Sequence, residues 1–343
     1  MTDILAISSR EILLVLSKTT GIVPGAHSAF KVGSPEASRI EWLYWFIFWI
    51  CFAAFVLVIA AFARSAAKNR IARREMLPVF EDKDGDRRAV WGVAIATGLT
   101  VVLLFIILGF SITTGKAVES DTSNQPVTID VTGHQWWWEV KYPDAAAPYL
   151  SFTTANEIHV PVGIPVVILT HSADVIHSFW APSLNGKRDL LPGYSSSFWF
   201  KADKPGIYHG QCAEFCGLQH AHMGFSIIAE SVSEFKQWKQ EQVQPAHQPD
   251  TPEEIRGQQV FLTHACILCH TILGTGAASH VGPDLTHLGS RQMIAAETLP
   301  NVTGALAGWI IDPQRIKPGT QMAPNPMAPG DLQALLAYLQ SLH

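Results

Sequence analysis

Two long apolar runs interrupt an otherwise polar chain. They extend from Trp42 to Ala63 and from Val90 to Ile112, and neither contains a charged residue. At about 1.5 Å per residue, each run is long enough as an α-helix to cross a hydrocarbon core of about 30 Å. The chain after Ile112 contains no further run of this kind. The pattern predicts a membrane-anchored protein with a transmembrane two-helix hairpin over residues 40–113, and it excludes both a wholly soluble enzyme and a polytopic transporter.

Short segments rich in Val, Ile, Trp, Phe and Thr follow the hairpin and are separated by Pro, Gly, Asp and Asn. This pattern predicts β-strands, because branched and aromatic side chains favour strands and the separating residues favour turns. The predicted strands are 127–132, 135–142, 157–170, 174–181, 195–202, 206–211 and 224–230. They predict an all-β domain over residues 125–232, built as an antiparallel sandwich or barrel.

The pattern changes again after this domain. Residues 233–251 are rich in Gln and contain two Pro, which predicts a helix end followed by a linker. Thr251, followed by Pro and two Glu, has the form of a helix N-cap with an acidic first turn. Apolar residues recur at helical spacing over 331–342. We therefore expect a compact all-α domain over residues 252–343.

The distribution of charge predicts the orientation of the hairpin. Lys and Arg are enriched in cytoplasmic loops, and the segment between the two apolar runs is far more basic than residues 1–40. The basic residues are Arg64, Lys68, Arg70, Arg73, Arg74, Lys83, Arg87 and Arg88 in that segment, against Arg10, Lys18, Lys31 and Arg39 in residues 1–40. We expect the connecting loop in the cytoplasm and the N-terminal segment 1–39, the C-terminus and both later domains on the periplasmic side of a bacterial inner membrane.

Composition adds two limits. The chain is 48% hydrophobic and only 15% charged, and the apolar excess lies in the two runs. Its net charge of -5 argues against a nucleic-acid partner, which requires a basic face. The apolar stretch at 12–16 lacks the form of a signal peptide, so we expect a mature or uncleaved N-terminus.

Four of the five cysteines form two close pairs. Cys212 and Cys216 share a predicted strand-to-strand loop with His220 and Met223. Two thiolates, an imidazole and a thioether are soft ligands suited to copper, and His177 from a distant strand completes the set. The cysteines alone would also suit a disulfide, and two Cys with two His a zinc site, but zinc has no use for a thioether. Two bridging thiolates indicate two copper ions, because a mononuclear blue-copper site needs only one thiolate.

This loop reads Cys-x-Glu-x-Cys-Gly-x-x-His-x-x-Met. With the upstream histidine, a Gly-His-Gln-Trp-Trp-Trp segment over 133–138 and the two-helix hairpin, it resembles subunit II of the haem-copper cytochrome c oxidases. The resemblance covers residues 40–231 and implies a cupredoxin-like sandwich that holds a binuclear copper centre, CuA. The ligands that it implies are Cys212 and Cys216 as bridges, His177 and His220 with one copper each, Met223 as a weak ligand and the backbone carbonyl of Glu214.

The same resemblance implies roles for two further side chains. The carboxylate of Glu214 would bind a magnesium ion at the boundary with the catalytic subunit, a role that suits a hard oxygen ligand. Trp136 matches the aromatic residue through which electrons enter from a soluble cytochrome c. Trp137 stands where many members have Tyr, which leaves the ligand assignment intact. His134 and His222 match no such role and are interpreted as surface or core histidines.

The second pair belongs to Cys266-x-x-Cys269-His270, the attachment pattern of a c-type haem. The thiols would add to the haem vinyl groups, and His270 would be the proximal ligand. Cys-x-x-Cys alone would also suit a redox or zinc motif, but the histidine that follows favours haem. A distal methionine raises the reduction potential into the range of cytochromes c. Met322 is the predicted ligand, in a Lys-Pro-Gly-x-x-Met segment that resembles small cytochromes c, and Met327 is the alternative.

A further segment, Gly282-Pro283-Asp284-Leu285, also resembles cytochrome c. In that family the proline carbonyl orients the proximal imidazole, so Pro283 would accept a hydrogen bond from His270. Met293 is interpreted as a packing residue.

These features together resemble subunit II of the oxidases whose electron donor is partly built in. The implied function is one-electron relay from an external donor, such as a cytochrome c or a bc1-type complex, through haem c and CuA. The acceptor would be the haem-copper subunit I, which reduces O2 to water coupled to proton translocation, and subunit III is a further expected partner. Neither apolar run contains a histidine, so the oxygen-reducing site must lie in a partner subunit.

Three alternatives compete with this interpretation. A nitric oxide reductase with a copper-bearing small subunit shares the hairpin and the sandwich and stays open as an alternative. A quinol oxidase subunit II would lack the copper cysteines. A structural protein with two disulfides would leave His220, Met223 and His270 unexplained.

Overall fold

The computed structural model describes residues 27–74, 83–119 and 126–343. These residues fall into two compact units, one formed by residues 38–120 and the other by the residues before and after it. Most of the predicted N-terminal segment and the centre of the predicted cytoplasmic loop, residues 1–26 and 75–82, lie outside the described residues. The two units are considered separately.

The first unit is a pair of long helices, α1 (Pro35–Arg74) and α2 (Lys83–Glu119). Their spans Pro35–Lys68 and Arg87–Val118 contain 18-residue stretches with mean hydropathies of 2.8 and 2.7, and both spans are long and apolar enough to cross a membrane. Phe110 packs against Phe46 with ring centroids 4.9 Å apart, so the helices contact each other near one end. Most of the remaining apolar side chains are exposed, which is the surface that lipid would cover. The predicted hairpin is thus present, with helices longer than the apolar runs.

The second unit begins with a sandwich domain of ten strands in two sheets. One sheet has the order β3-β2-β1-β5-β8 and the other β4-β10-β9-β6-β7. The strands are β1 (Val127–His134), β2 (Trp137–Tyr142), β3 (Phe152–Ala155), β4 (Glu157–Pro161), β5 (Val166–Ser172), β6 (His177–Trp180), β7 (Arg188–Leu190), β8 (Ser196–Phe200), β9 (Gly206–Cys212) and β10 (Gly224–Glu230).

The sheets are mixed, and the expectation of a purely antiparallel sandwich was wrong. β1 pairs in parallel with β5, and β4 pairs in parallel with β10. The predicted strand 157–170 is two strands in different sheets, joined by a turn in which Gly163 has a φ of 76°. Because the chain crosses from one sheet to the other at this turn and at residue 156, strands that are far apart in sequence become parallel neighbours.

An aromatic core holds the two sheets together. Trp138, Phe179 and Phe225 lie at its centre with at most 1% of their surface exposed. The Phe179 and Phe225 rings stack with centroids 4.0 Å apart, and Trp138 meets Phe225 edge-on at 5.4 Å. Burying a large apolar side chain stabilises a fold by about 1.5–3 kcal/mol. Packing of this strength gives the strands of the second sheet fixed positions.

The residues just before α1 pack against the sandwich. The amide of Gly33 donates to the carbonyl of Ser183 at 2.8 Å, and the amide of Asp203 donates to the carbonyl of Gly33 at 2.8 Å. A Cβ at Gly33 would lie 2.2 Å from the Tyr208 ring, so this close approach requires glycine. The segment before the hairpin and the domain after it are therefore in direct contact.

A helix occupies the first part of the predicted linker. α3 (Val232–Gln242) begins with a capping box in which the Ser231 hydroxyl accepts from the Glu234 amide. Trp238 lies flat against the His159 ring with centroids 4.1 Å apart, which fixes α3 to the sandwich. The segment between α3 and the next helix is correspondingly shorter than the sequence predicted.

The remaining residues form the C-terminal domain, whose helices are α4 (Pro252–Thr263), α5 (Thr303–Ile311), α6 (Pro313–Ile316) and α7 (Pro329–Ser341). Thr251 caps α4, as its sequence predicts. α4 crosses α7 so closely that a Cβ at Gly257 would lie 2.0 Å from the Ala334 carbonyl oxygen. A small hairpin, β11 (Met293–Ile294) and β12 (Leu299–Pro300), departs from the predicted all-α content.

Candidate metal centre and haem cavity

The predicted copper ligands lie where two strands and one loop of the sandwich meet. His177 begins β6, Cys212 ends β9, and these strands pair at Phe179 and Cys212. The loop after β9 carries Cys216 and His220 and returns to β10 at Met223. The Cys212 amide donates to the Met223 carbonyl at 2.9 Å, which closes the loop at its base.

The structure brings all five side chains into one cluster. The Cys212 and Cys216 sulfurs are 3.7 Å apart, so they are free thiols and not a disulfide. The Nδ1 atom of His177 lies 3.9 Å from the Cys212 sulfur, and that of His220 lies 3.6 Å from the Cys216 sulfur. The Met223 sulfur is 3.8 Å from the Cys216 sulfur. Each imidazole therefore faces a different sulfur, which is the arrangement that two bridged metal ions require.

Glu214 turns its backbone toward this cluster. Its carbonyl oxygen lies 3.2 Å from the Cys212 sulfur. Its carboxylate points elsewhere and lies 3.3 Å from the Lys187 ammonium group, which is itself 3.2 Å from Asp189. The carbonyl is placed as a ligand would be, whereas the carboxylate is on the surface in an ion pair.

A carboxylate behind His177 fixes the proton on the imidazole. The Nε2 atom lies 2.8 Å from Asp174 Oδ1, so Nε2 carries the hydrogen and Nδ1 presents its lone pair to the sulfurs. Burial disfavours the charged ring, but the hydrogen bonds with Cys212 and Asp174 outweigh it and raise the pKa of His177. Asp174 also accepts from the Gln135 amide at 2.6 Å, which holds the carboxylate in place.

The two thiols are buried and share a hydrogen bond. Each has 2% of its surface exposed. The hydrogen bond between them lowers the pKa of Cys212 and raises the pKa of Cys216, because the thiolate of one is stabilised by the proton of the other. A soft cation would replace that shared proton, so the donor set fits copper. The thioether of Met223 in the same cluster distinguishes it from a zinc site.

The tryptophan expected to receive electrons contacts this cluster directly. The Trp136 indole donates to the Cys216 carbonyl at 2.9 Å, and the side-chain amide of Gln135 donates to the same oxygen at 2.7 Å. Trp136 is only 7% exposed. The chain's own C-terminal domain covers it, since a Cβ at Gly319 would lie 3.5 Å from the indole ring. A soluble protein therefore has no direct access to this side chain.

The other face of Trp136 forms part of the wall of a large cavity. The cavity has an empty volume of about 1560 Å³, including the part that opens to solvent. Its wall includes Cys266, Cys269, His270 and Met322, together with largely apolar side chains of the C-terminal domain. Thus the predicted haem ligands converge on a single, mostly apolar cavity.

His270, the predicted proximal ligand, makes the hydrogen bond to Pro283 that the resemblance implies. The Nδ1 atom of His270 lies 2.7 Å from the Pro283 carbonyl oxygen, so Nδ1 carries the hydrogen and Nε2 has a free lone pair. Burial lowers the pKa of His270, which keeps the ring neutral. A Cβ at Gly282 would lie 2.9 Å from the ring, so the chain passes His270 at a distance that only glycine permits. These features fit a haem iron ligand.

The methionines differ in position. Met322 lines the cavity, and its carbonyl accepts a hydrogen bond from Gln314 at 2.8 Å. Met327 packs against the hydrophobic core of the C-terminal domain instead. Met293, which the sequence assigned to packing, also lines the cavity, and its amide donates to Glu157 at 3.2 Å.

Two site features were not found from the sequence. Lys317 is 2% exposed and reaches from the C-terminal domain to the Trp136 carbonyl, and nothing in the sequence signals a contact between residues so far apart. Asp174 is the second such residue and is the first residue of the predicted strand 174–181, which also contains His177. Its position three residues earlier, across a short turn, is the signal that could have identified it.

Comparisons with known proteins agree with this geometry. The family described as "Cytochrome C oxidase subunit II, periplasmic domain" matches residues 127–232, and the cytochrome c family matches residues 255–343. Cytochrome c oxidase subunit 2 of Alkalihalophilus pseudofirmus is 33% identical over 319 residues, covering 90% of this chain and 89% of the relative. The corresponding subunit of Bacillus sp. (strain PS3) is 30% identical over 261 residues, covering 71% of each.

A solved periplasmic domain of subunit II of cytochrome oxidase from Bradyrhizobium japonicum is 34% identical, covering 36% of this chain and 96% of that chain with a TM-score of 0.33. The two matched families imply that the chain binds copper and haem, and the two apolar helices make it a membrane-anchored protein. The curated relatives are subunits of cytochrome c oxidase, which is an oxidoreductase complex. The chain belongs to the cytochrome c oxidase subunit II family and carries a cytochrome c domain at its C-terminal end.

Proposed function

We propose that this chain takes electrons from an external donor at its C-terminal domain and passes them through its sandwich domain to a haem-copper subunit I that reduces O2 to water. One observation carries the proposal. The cavity that contains His270 and Met322 and the cluster that contains Cys212 and Cys216 meet at two neighbouring residues, Gln135 and Trp136, which both line the cavity and both donate to the Cys216 carbonyl.

In this proposal, Cys212, Cys216, His177, His220, Met223 and the Glu214 carbonyl hold a CuA centre, and Cys266, Cys269, His270 and Met322 hold a haem c. These groups supply reversible one-electron chemistry when bound. The support is the donor chemistry: two free thiols, two imidazoles that each face a sulfur, and a neutral proximal histidine.

The surrounding residues orient the ligands and exclude water. Asp174 and Pro283 each hold one imidazole nitrogen protonated, so that the other presents its lone pair. The Phe179 and Phe225 stack lies beneath the copper ligand strands and keeps their spacing fixed. Ligands that are fixed in advance change little between oxidation states, which lowers the reorganisation that electron transfer requires. Trp136, of which 7% is exposed, lies between the cavity and the Cys216 carbonyl.

The orientation proposed for the chain has both domains and the N-terminal segment on the periplasmic side of a bacterial inner membrane. The hydrogen bonds of Gly33 with Ser183 and Asp203 support it, because they join residues before α1 to the domain after α2. The two ends of a hairpin with two spans lie on the same side of the membrane. Subunit I, subunit III, and a cytochrome c or bc1-type donor are the partners proposed, with proton translocation in the whole complex.

The proposal also includes a magnesium ion at the boundary with subunit I, held by Glu214. The Glu214 carboxylate is exposed beside the copper loop, and Lys187 is its ion-pair partner in the isolated chain. Docking of subunit I would have to replace that ammonium group by the cation.

The test is electron paramagnetic resonance of the purified, copper-loaded and haem-loaded chain. We expect the hyperfine pattern of one electron shared equally by two copper nuclei, together with the absorption bands of a low-spin haem c. The matched variant Cys216→Ser removes one bridge and should convert the copper signal to that of a single nucleus while leaving the haem bands unchanged. A single-copper pattern in the unaltered chain would refute the dicopper assignment, and loss of the haem bands in Cys216→Ser would show that the sites are not separate.

A further inference from the structure

Lys317 is a buried ammonium group without a carboxylate partner among the described residues. It is 2% exposed, and its Nζ atom donates to the carbonyl of Trp136 at 2.9 Å and to the carbonyl of Ala295 at 3.1 Å. Burial lowers the pKa of Lys317 to about 7. Removing an ammonium group from water is costly unless it gains strong partners. Two peptide carbonyls offset part of that cost, so the position of this side chain requires a physical explanation.

Lys317 and the two carbonyl groups that it joins belong to different parts of the molecule. Trp136 lies in the sandwich domain beside the copper loop, Ala295 lies in the hairpin of β11 and β12, and Lys317 itself follows α6. The backbone of Trp136 accepts from Lys317 while its indole donates to Cys216. One ammonium group is therefore connected to a copper-loop carbonyl through a single tryptophan.

Other contacts between the two domains do not depend on Lys317. The carboxylate of Glu157, itself 6% exposed, accepts from the Gln292 amide at 2.7 Å and from the Met293 amide at 3.2 Å. The Gly224 amide donates to the Ala296 carbonyl at 3.1 Å. These bonds lie along the same hairpin, so the domains stay docked when the Lys317 side chain alone is replaced.

We propose that Lys317 is a positioning residue that fixes Trp136 between the haem cavity and the dicopper site. This inference rests on the proposed function in one respect, since it assigns the fixed tryptophan to electron transfer between those two sites. Two hydrogen bonds from one ammonium group hold the Trp136 backbone against the cavity wall, and the indole bond to Cys216 sets the orientation of the ring. Because electron transfer depends steeply on the separation and contact of the groups involved, a small displacement of Trp136 would slow it.

The test compares Lys317→Met, which keeps the length and removes the donors, with Lys317→Arg, which keeps both charge and donors. Lys236→Met is the matched control, because Lys236 is exposed on α3. The first measurement is hydrogen exchange in the full chain loaded with copper and haem. We expect Lys317→Met to accelerate exchange in the peptides around 134–138 and 292–298 about tenfold or more, because opening there no longer breaks the Lys317 bonds. Lys317→Arg and Lys236→Met should leave both peptides within about threefold of the unaltered chain.

The second measurement is the rate of internal electron transfer between haem and copper after flash reduction of the full loaded chain. Lys317→Met should slow this step about tenfold or more, since small misplacements at a reacting centre have effects of this size. The copper hyperfine pattern and the rate of reduction by an external donor should be unchanged. Lys317→Arg should restore the internal rate.

Each outcome separates this inference from the proposed function. An internal rate in Lys317→Met equal to that of Lys236→Met would overturn the positioning role, as would exchange that is unchanged at both peptides. If Lys317→Met does not fold, Lys317→Arg provides the test. Normal hydrogen exchange in Lys317→Arg, combined with internal electron transfer as slow as in a Trp136→Ala variant, would contradict the inference. Absence of the dicopper signal in the unaltered chain would refute the proposed function while the exchange measurement still tests the contact.

Discussion

Replacement of Gly257 by alanine tests how tightly the C-terminal domain is closed around its cavity. A Cβ at this position would lie 2.0 Å from the Ala334 carbonyl oxygen and 2.6 Å from Tyr338 Cβ. The first distance falls 1.4 Å short of the 3.4 Å of ordinary contact. The obstacle is the backbone of α7, which has no rotamer to change, so α4 and α7 must move apart by about that distance.

The cost of this movement follows from what the two helices bury. Phe261 on α4 and Leu335 and Leu339 on α7 are each at most 3% exposed, and all three line the cavity. Overpacking a core costs about 1–3 kcal/mol, occasionally more, and a backbone obstacle belongs at the upper end of this range. For a domain of this size, about 2 kcal/mol lowers the melting temperature by roughly 8–16 °C.

Scanning calorimetry of the full chain, with the visible haem absorbance followed in parallel, measures the effect. Gly308→Ala is the control, because Gly308 lies inside α5 and the nearest atom to its Cβ is 4.0 Å away. Alanine is the better helix former, so this control should raise the stability by up to about 1 kcal/mol. A shift of about 2 °C corresponds to at most about 0.5 kcal/mol. A Gly257→Ala melting temperature within about 2 °C of that of the unaltered chain would therefore refute the predicted separation of α4 and α7.

Three further changes test the site. Met322→Leu should remove the methionine–iron absorption band and lower the haem potential, whereas Met327→Leu should leave both unchanged, and the reverse result would assign Met327 as the ligand. Asp174→Ala should weaken copper binding about 10–100-fold in a chelator competition, because His177 loses the group that sets its proton, and unchanged affinity would contradict that role. Burial raises the pKa of Glu157 above its ordinary 4.5. Between the ordinary and the raised pKa, the folded chain holds a proton on Glu157 that the unfolded chain has lost. The free energy of unfolding therefore falls as pH rises between these two values and then levels off. Glu157→Gln should abolish that fall, which denaturant titrations would measure between about pH 4 and 7, the range in which ordinary and raised carboxyl groups titrate. An unchanged dependence of the free energy of unfolding on pH would contradict this assignment to Glu157.

Much of the copper cluster could be predicted because its ligands are close together in the sequence. Cys212, Cys216, His220 and Met223 lie in one loop, and residue type alone limits what such a loop can bind. His177 comes from another strand, and the sequence identifies it because a histidine in a distant predicted strand would complete the soft-ligand set. The hydrogen bond from His270 to the Pro283 carbonyl was predicted from the resemblance to cytochrome c and is present at 2.7 Å.

The sheet topology could not be predicted from local pattern. Alternation of apolar residues marks a strand but does not determine its neighbour, so β1 beside β5 and β4 beside β10 were missed. The helix at 232–242 was obscured for a different reason. Its Gln-rich surface is typical of a linker, and only the side of α3 that carries Phe235 and Trp238 packs against the sandwich.

Composition and packing also differ in the segment that connects the sandwich domain to the C-terminal domain. A segment rich in Gln and Pro favours a mobile tether, in which the C-terminal domain would move between its donor and the copper site. The structure shows an anchored segment instead: Ala246 is 3% exposed, and its amide donates to the Leu273 carbonyl at 2.9 Å. With Glu157 and Lys317 buried between the domains as well, movement would expose two ionisable groups and break their hydrogen bonds. The docked domain covers Trp136 in the structure, so under the proposed function an external donor would deliver its electrons to the C-terminal domain and not to the sandwich domain.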